Sequence, residues 1–143
     1  MTVQTSAGGA ADLWERQDAL ELRALDTAPS CARLHAKALL SEWGLSRIAD
    51  EAELVISELV TNAYRITAAL KLDTPISLRL WTDYVHLVLE VWDGAGHREP
   101  KPGDQSTSAE SGRGLAVVTA IAERWGVRHV EDGGKIVFAL IKL

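Results

Sequence analysis

Hydrophobic residues recur along the chain at two spacings, one typical of strands and one typical of helices. The segment 20–24 alternates apolar and polar residues and predicts a short strand that ends before Pro29. From Pro29 to Trp43 the apolar residues fall near helical spacing, and Gly44 follows where a left-handed helix cap is wanted. The chain is therefore predicted to open with a strand and a helix.

A second, longer helix is predicted from about Ser46, as its N-cap, to about Leu70. Its apolar positions recur at steps of three and four residues: Ala52, Val55, Ile56, Leu59, Ala63 and Ile66. At about 100° per residue, four polar residues share the border of this apolar face: Glu51, Glu58, Asn62 and Arg65. A half-buried site can form along that border.

Two strands are predicted next, at 76–81 and 85–92, and the short turn at 82–84 should pair them as a hairpin. The polar stretch 97–111 then contains two prolines and a glycine. A connection of about 15 residues without regular structure is uncommon inside a compact domain and is usually a functional loop. We therefore expect a lid over this stretch.

The last part of the chain predicts a third helix and a closing hairpin. The helix should run from Gly112 to about Trp125, with Leu115, Val118, Ile121, Ala122 and Trp125 on its inner face. The hairpin should pair 127–130 with 135–143 around Asp132-Gly133-Gly134, a strong turn signal. The order of elements predicts an α+β two-layer sandwich, in which three helices cover a mixed, mostly antiparallel sheet.

Composition supports one domain without an export signal. A chain of 143 residues, 47% of them hydrophobic, has the length and the apolar content for one core. Residues 1–11 are small and polar without periodicity, which predicts a disordered tail before a single domain at 12–143. No apolar run approaches the roughly 18 residues that span a bilayer, and there is no basic and apolar leader. We expect a cytoplasmic protein.

The net charge bears on possible binding partners, and the cysteine content bears on the redox compartment. The formal net charge of −5 provides no electrostatic footprint for a phosphate backbone, so direct nucleic-acid binding is not expected. The single cysteine, Cys31, has no companion for a disulfide, which suits a reducing compartment.

Two carboxylates are candidates for chemistry. Glu58 and Asn62 are four residues apart on one helix, and a carboxylate beside an amide can hold hydrated Mg²⁺ and polarise a hydroxyl. A solvated helix pair is the plainer alternative. Asp93 ends an apolar strand and is followed by Gly94 and Gly96, so it can accept a hydrogen bond from an exocyclic amine such as that of adenine. A type I turn explains the same residues.

Gly112 and Gly114 precede a predicted helix and can offer backbone N–H groups to a phosphate, with Arg113 adding charge. A flexible hinge is the competing interpretation. The glycines do not follow a strand and lack the third glycine of a dinucleotide fingerprint, which argues against a Rossmann site.

The order of these motifs is more informative than any one of them. A helix with Glu-x-x-x-Asn, a hairpin ending in Asp-x-x-Gly, a long lid and Gly-x-Gly at a helix start resembles the Bergerat ATP fold of the GHKL, or histidine-kinase-like ATPase, domain. Over 20–143 the chain is similar to anti-sigma factors of the SpoIIAB and RsbW type, which are also serine/threonine kinases. The stretches that carry the resemblance are 57–63 (SELVTNA), 93–96 (DGAG), 112–118 (GRGLAVV) and 134–138 (GKIVF).

This resemblance implies a role for each motif. Asn62 would coordinate the Mg²⁺ that bridges the phosphates of ATP or ADP, and Glu58 would be the general base for a serine hydroxyl. Asp93 would read adenine, with Gly96 shaping that wall. The phosphates would be bound under the lid by the segment that comprises Gly112, Arg113, Gly114 and Leu115.

The implied function is that of an anti-sigma factor and serine kinase. It would bind a sigma factor, phosphorylate an anti-anti-sigma protein of the STAS type, and form a homodimer. Two positions depart from the family pattern: Ile66 stands where many relatives have histidine, and the usual threonine has no clear counterpart beside Lys135.

Two other functions fit parts of the sequence. A catalytically inactive nucleotide-binding or scaffold module would keep the fold and sequester a regulatory partner. The third hypothesis is a metal-independent hydrolase that uses one of the four histidines, His35, His86, His97 or His129. It is not favoured, because the sequence offers no Ser-His-Asp arrangement for these histidines.

Overall fold

One antiparallel sheet forms the first layer of the computed structural model, which describes residues 2–3, 15–96, 109–131 and 133–143. Within these residues the sheet has six strands in the order β1-β2-β3-β4-β6-β5. The strands are β1 (Thr2–Val3), β2 (Arg16–Leu22), β3 (Ile76–Thr82), β4 (His86–Asp93), β5 (Arg124–His129) and β6 (Lys135–Lys142).

Helices form the second layer on one face of this sheet. They are α1 (Ala28–Glu42), α2 (Ala49–Ala69) and α3 (Ala109–Ile121), with a short 3₁₀ helix at Ser46–Ile48 before α2. The central helix α2 packs on α1 and α3 and rests on β3, β4 and β6. The predicted α+β two-layer sandwich is confirmed. None of the described helices is long and apolar enough to cross a bilayer.

The core lies between α2 and the middle strands, because successive strand side chains point to opposite faces of the sheet. Every second residue of β3, β4 and β6 faces the helices and is at most 4% exposed: Ile76, Leu78, Leu80, Leu87, Leu89, Val91, Val137, Ala139 and Ile141. The opposing face of α2 contributes the apolar stripe that the sequence predicts, including Val55, Ile56 and Leu59.

Gly44 follows the end of α1, as predicted. It has φ 75°, and it follows the C-cap residue Trp43. The N–H of Gly44 bonds to the carbonyl of Ser41, and the N–H of Leu45 bonds to the carbonyl of Leu40 at 2.7 Å. These two bonds define a Schellman motif, which satisfies carbonyls left open at the helix end. The predicted Ser46 N-cap is wrong, because the 3₁₀ helix leads directly into α2 without a side-chain cap.

Several boundaries differ from the sequence prediction. The opening strand begins at Arg16 rather than at Leu20, since β2 pairs along its whole length with β3. The pairings among the described strands are all antiparallel, so our prediction of a mixed sheet is wrong. Thr2–Val3 pairs with β2, inside the predicted tail. The rest of that tail and residues 97–108 of the lid expected over 97–111 lie outside the described residues, whereas 109–111 belong to α3 and were wrongly expected to lack regular structure.

The third helix is shifted toward the N-terminus of the prediction. It begins at Ala109 and ends at Ile121, because Trp125 belongs to β5 and pairs with Ala139. The indole N–H of Trp125 donates to the hydroxyl of Thr119 at 2.8 Å. Trp125 packs against the core, as predicted, but it belongs to a strand and not to the third helix.

The predicted hairpin of β3 and β4 is closed by side chains that accept backbone hydrogen bonds. The carboxylate of Asp83 accepts from the N–H groups of Val85 and His86, each at 2.8 Å. The Thr82 hydroxyl accepts from the N–H of Tyr84, which has φ 67°. Hydrogen bonds from the backbone of His86 and Val85 lower the pKa of the Asp83 carboxyl below its usual value. The turn therefore stabilises the ionised form.

Replacing Asp83 with alanine should lower the free energy of unfolding at pH 7 by about 1 kcal/mol, because two backbone donors lose a charged acceptor. The folded-state pKa is the lower one, so this stabilisation is present above the unfolded pKa of about 4 and is lost as the pH falls through the folded value. Denaturant unfolding at pH 7 and near pH 3 measures both effects. Asp73→Ala, at an exposed aspartate in the preceding loop, is the control; an Asp83→Ala deficit that is equal at both pH values would contradict the assignment.

Candidate functional site

A buried ion pair lies where β4 ends and β6 begins. Asp93 and Lys135 are direct partners in the β4–β6 ladder and are 1% and 2% exposed. The Lys135 ammonium donates to both carboxylate oxygens of Asp93 at 2.9 Å. The N–H of Ala95 donates to Oδ1 of the same carboxylate, also at 2.9 Å. The residue predicted to read adenine is thus held by three hydrogen bonds from its own chain.

The turn between β5 and β6 packs directly beneath Asp93. Gly134 has φ 84°, and a Cβ on it would lie 2.6 Å from the indole nitrogen of Trp92 and would also strike the Asp93 carbonyl oxygen. That indole nitrogen donates to the carbonyl of Gly133 at 3.3 Å. Gly96 has φ 66°, and its Cβ would lie 3.6 Å from the Gly134 nitrogen. The structure therefore brings Asp93 and Gly96 together with this turn.

Thr74 closes the other side of the same segment. A Cβ on Gly94 would lie 2.8 Å from the Thr74 hydroxyl oxygen, so the missing side chain lets the loop before β3 approach Asp93. The hydroxyl is buried and has no hydrogen-bond partner among the described residues. Since buried polar groups are normally paired, a ligand or a water is the expected partner.

Glu58 and Asn62 lie one turn apart on α2 and are both half-buried. The side-chain nitrogen of Asn62 is buried and lacks a partner in the described part of the chain. Helix α2 packs on β4, which carries Asp93, and on α3. The elements that carry the predicted site residues are therefore in contact with one another.

The predicted phosphate segment has a different local structure from the one expected. Gly112, Arg113 and Gly114 lie inside α3, which begins three residues earlier at Ala109, so the prediction that the glycines precede the helix is wrong. Ala109 and Glu110 favour helix, which extends it toward the N-terminus. Only the N–H groups before the fourth helical residue lack an intrahelical partner, so in α3 neither Gly112 nor Gly114 offers an unpaired N–H. Leu115 is buried.

The residues present fit a Mg²⁺ that is held mainly by the phosphates of a nucleotide. The described residues contain no group of three or more His, Cys, Asp or Glu that could hold a metal ion. Mg²⁺ in phosphate sites takes only one or two protein ligands and keeps phosphate oxygens and waters. The unpartnered atom of Asn62 is its side-chain nitrogen, a donor that a phosphate oxygen can meet, and the amide oxygen of the same side chain is a type of ligand that Mg²⁺ takes.

Sequence reasoning missed Lys135 and Thr74. Lys135 follows a glycine turn and reads as an ordinary strand residue, and only the register of β6 on β4 places it across from Asp93. Thr74 is found through Gly94, since a glycine directly after the candidate carboxylate is a signal for close approach of another segment.

Comparison with known proteins identifies the kind of domain. The family model for the histidine kinase-like ATPase domain matches residues 12–140. Domains of this kind bind ATP or ADP, usually with Mg²⁺. A search of curated proteins found no match.

Gly134→Ala should destabilise the fold by about 3 kcal/mol or more, because the new methyl group overlaps backbone and indole atoms that cannot move independently. Gly44→Ala is the matched control. Gly44 has a similar φ of 75° but nothing within 4 Å of its Cβ position, so only backbone strain of about 1 kcal/mol is expected there. Thermal or urea unfolding measures the difference, and equal losses in the two variants would rule out the close packing under Asp93.

Proposed function

Since this chain belongs to the histidine kinase-like ATPase domain family, we propose that it binds Mg-ATP in the cytoplasm and acts as an anti-sigma factor and serine kinase. Its substrate would be a STAS-domain anti-anti-sigma protein, and its other partner a sigma factor. The observation that carries the nucleotide site is the anchored Asp93 carboxylate at the end of β4, within the matched domain. The partner assignment is supported by the resemblance over 57–63, 93–96 and 112–118.

The nucleotide would be held at both of its ends. Asp93 accepts a hydrogen bond from the exocyclic amine of adenine, and Gly96 leaves room for the flat ring against the turn beneath. Asn62 supplies the amide oxygen for Mg²⁺. The segment from Gly112 to Leu115 lies next to the phosphates, with the N-terminal end of α3 providing a positive dipole.

Phosphoryl transfer would use Glu58 as the base. The serine oxygen forms a bond to the γ-phosphorus, the bond from that phosphorus to the bridging β,γ oxygen breaks, and ADP leaves with the electron pair. The serine proton moves to the Glu58 carboxylate. When bound, Mg²⁺ neutralises charge on the phosphates, and the protein mainly has to position the reacting groups.

Two observations favour a second candidate, a scaffold module that binds a partner without catalysis. Lys135 already occupies both carboxylate oxygens of Asp93. Gly114 lies inside α3 rather than before it. Both features reduce the groups that are immediately available to a nucleotide.

Calorimetric titration should show saturable binding of Mg-ATP by the full chain. Asn62→Ala should weaken that binding at least about tenfold in the presence of Mg²⁺, because the variant lacks the proposed metal ligand. Thr61→Ala, which removes a small polar group about 100° away around the same helix, should bind as the wild type does. The Asn62→Ala effect should disappear when Mg²⁺ is chelated.

Wild-type protein that takes up no ATP would reject the nucleotide site and leave the scaffold function. Asp93→Asn alone is an unsuitable control, because it leaves the buried Lys135 ammonium without its counter-charge. Breaking a buried ion pair in this way costs about 3–5 kcal/mol, so loss of binding could not be separated from loss of folding.

Glu58→Gln should retain Mg-ATP affinity within about twofold but slow transfer to a STAS-domain protein by about 100-fold or more, because a general base contributes about 10²–10⁴ to the rate. Transfer of the labelled γ-phosphate to a panel of STAS-domain proteins measures the rate. Glu53→Gln, one turn and more from Glu58 on α2, is the control. Equal transfer by Glu58→Gln and wild type would exclude Glu58 as the base; ATP binding without transfer to any partner would favour the scaffold module.

A further inference from the structure

Lys135 places a hydrogen-bond donor directly beside the acceptor that is expected to read the base. A carboxylate has about four acceptor positions. Three of those on Asp93 are taken, two by Lys135 and one by the N–H of Ala95. Oδ1 accepts from both Lys135 and the N–H of Ala95, whereas Oδ2 accepts from Lys135 alone, so the remaining acceptor position is on Oδ2.

The ammonium has one donor to spare in the same place. A lysine ammonium carries three N–H groups, and among the described residues two of them are directed at Asp93. The nitrogen lies 2.9 Å from Oδ2. The ion pair therefore presents one donor and one acceptor side by side, at a spacing that two adjacent atoms of a purine edge can meet.

The pair itself is buried, with side chains 3% and 2% exposed, and the segments packed against it are short of side chains. The residues that flank it in sequence and across the turn are glycines, namely Gly94, Gly96 and Gly134. Thr74 lies close to Gly94 and adds a buried hydroxyl that has no hydrogen-bond partner among the described residues. Lysine is almost never fully buried unless it is paired, and the Asp93 carboxylate is its partner here.

We propose that Lys135 is a base-selecting residue of the nucleotide site. Resting on the proposed function, the assignment is that Oδ2 of Asp93 accepts from the N6 amine of adenine while Nζ of Lys135 donates to the adjacent ring nitrogen N1. Asp93 and Lys135 then read the base as one donor–acceptor unit rather than as a carboxylate alone.

The unit distinguishes purines by the sign of each contact. Hypoxanthine and guanine in the same pose present an O6 acceptor to the carboxylate and an N1–H donor to the ammonium, so both contacts become repulsive. The contact made by Lys135 is isolated by 1-deazaadenine, which keeps the N6 amine and replaces N1 with a C–H group. A lysine that only neutralises Asp93 would not sense that change.

Calorimetric titration of the wild-type chain with Mg-ATP and with the Mg complex of 1-deaza-ATP tests the assignment. The 1-deaza analogue should bind about tenfold or more weaker, the expected loss of a hydrogen bond to a charged group. In Lys135→Met the two nucleotides should bind within about twofold of each other. Lys142→Met, at the exposed far end of the same strand, is the matched control and should keep the wild-type ratio.

Equal affinities for the two nucleotides in wild type would overturn the role of Lys135 while leaving the proposed function intact. A preference for ATP that persists in Lys135→Met would overturn it as well, since another group must then meet N1. If Lys135→Met fails to fold, the double variant Asp93→Asn with Lys135→Met removes both buried charges, and the preference should be absent there. Failure of wild type to bind ATP at all would remove the proposed function and this assignment with it.

Discussion

The pairing of β4 with β6 is the constraint on which the rest of the site depends. Residues 86–93 meet residues 135–142 in one antiparallel ladder, across a separation in sequence that includes α3. That register brings Lys135 opposite Asp93 and seats the Gly133–Gly134 turn under the backbone of Asp93. A slip of one residue would reverse every inward side chain and take the lysine to the other face of the sheet.

The ion pair formed in this way lies inside an apolar layer, where the opposite charges of Asp93 and Lys135 compensate each other. Neither partner reaches solvent to any useful extent, so each depends on the other to offset the loss of hydration. The Ala95 N–H adds a third anchor to the carboxylate, and the glycines around it allow backbone segments to close in. This end of β4 is thus held by paired charges and by close backbone contacts at glycines rather than by apolar packing.

Local patterns in the sequence predicted the elements well where one face of each element is buried. The apolar stripe of α2 and the alternation in β3 and β4 identify both the elements and their inner faces, and Gly44 identifies the end of α1. Boundaries were misplaced where local propensity and the hydrophobic period disagree with the fold. Ala109 and Glu110 extend α3 toward the N-terminus, and Trp125 fits the helical period but pairs in β5. Asn62 and Asp93 were identified as candidates from motif order. Lys135 was not, because its importance arises from a non-local register that no window of sequence contains.

The buried pair also constrains how these two positions can diverge among related chains. A change at Asp93 alone or at Lys135 alone leaves an uncompensated charge in the interior, whereas a joint change to neutral residues avoids that penalty. The two positions are therefore expected to change together, because a chain that carries only one of the two substitutions is the least stable form. Relatives should therefore divide into those that carry both charges at these positions and those that carry neither.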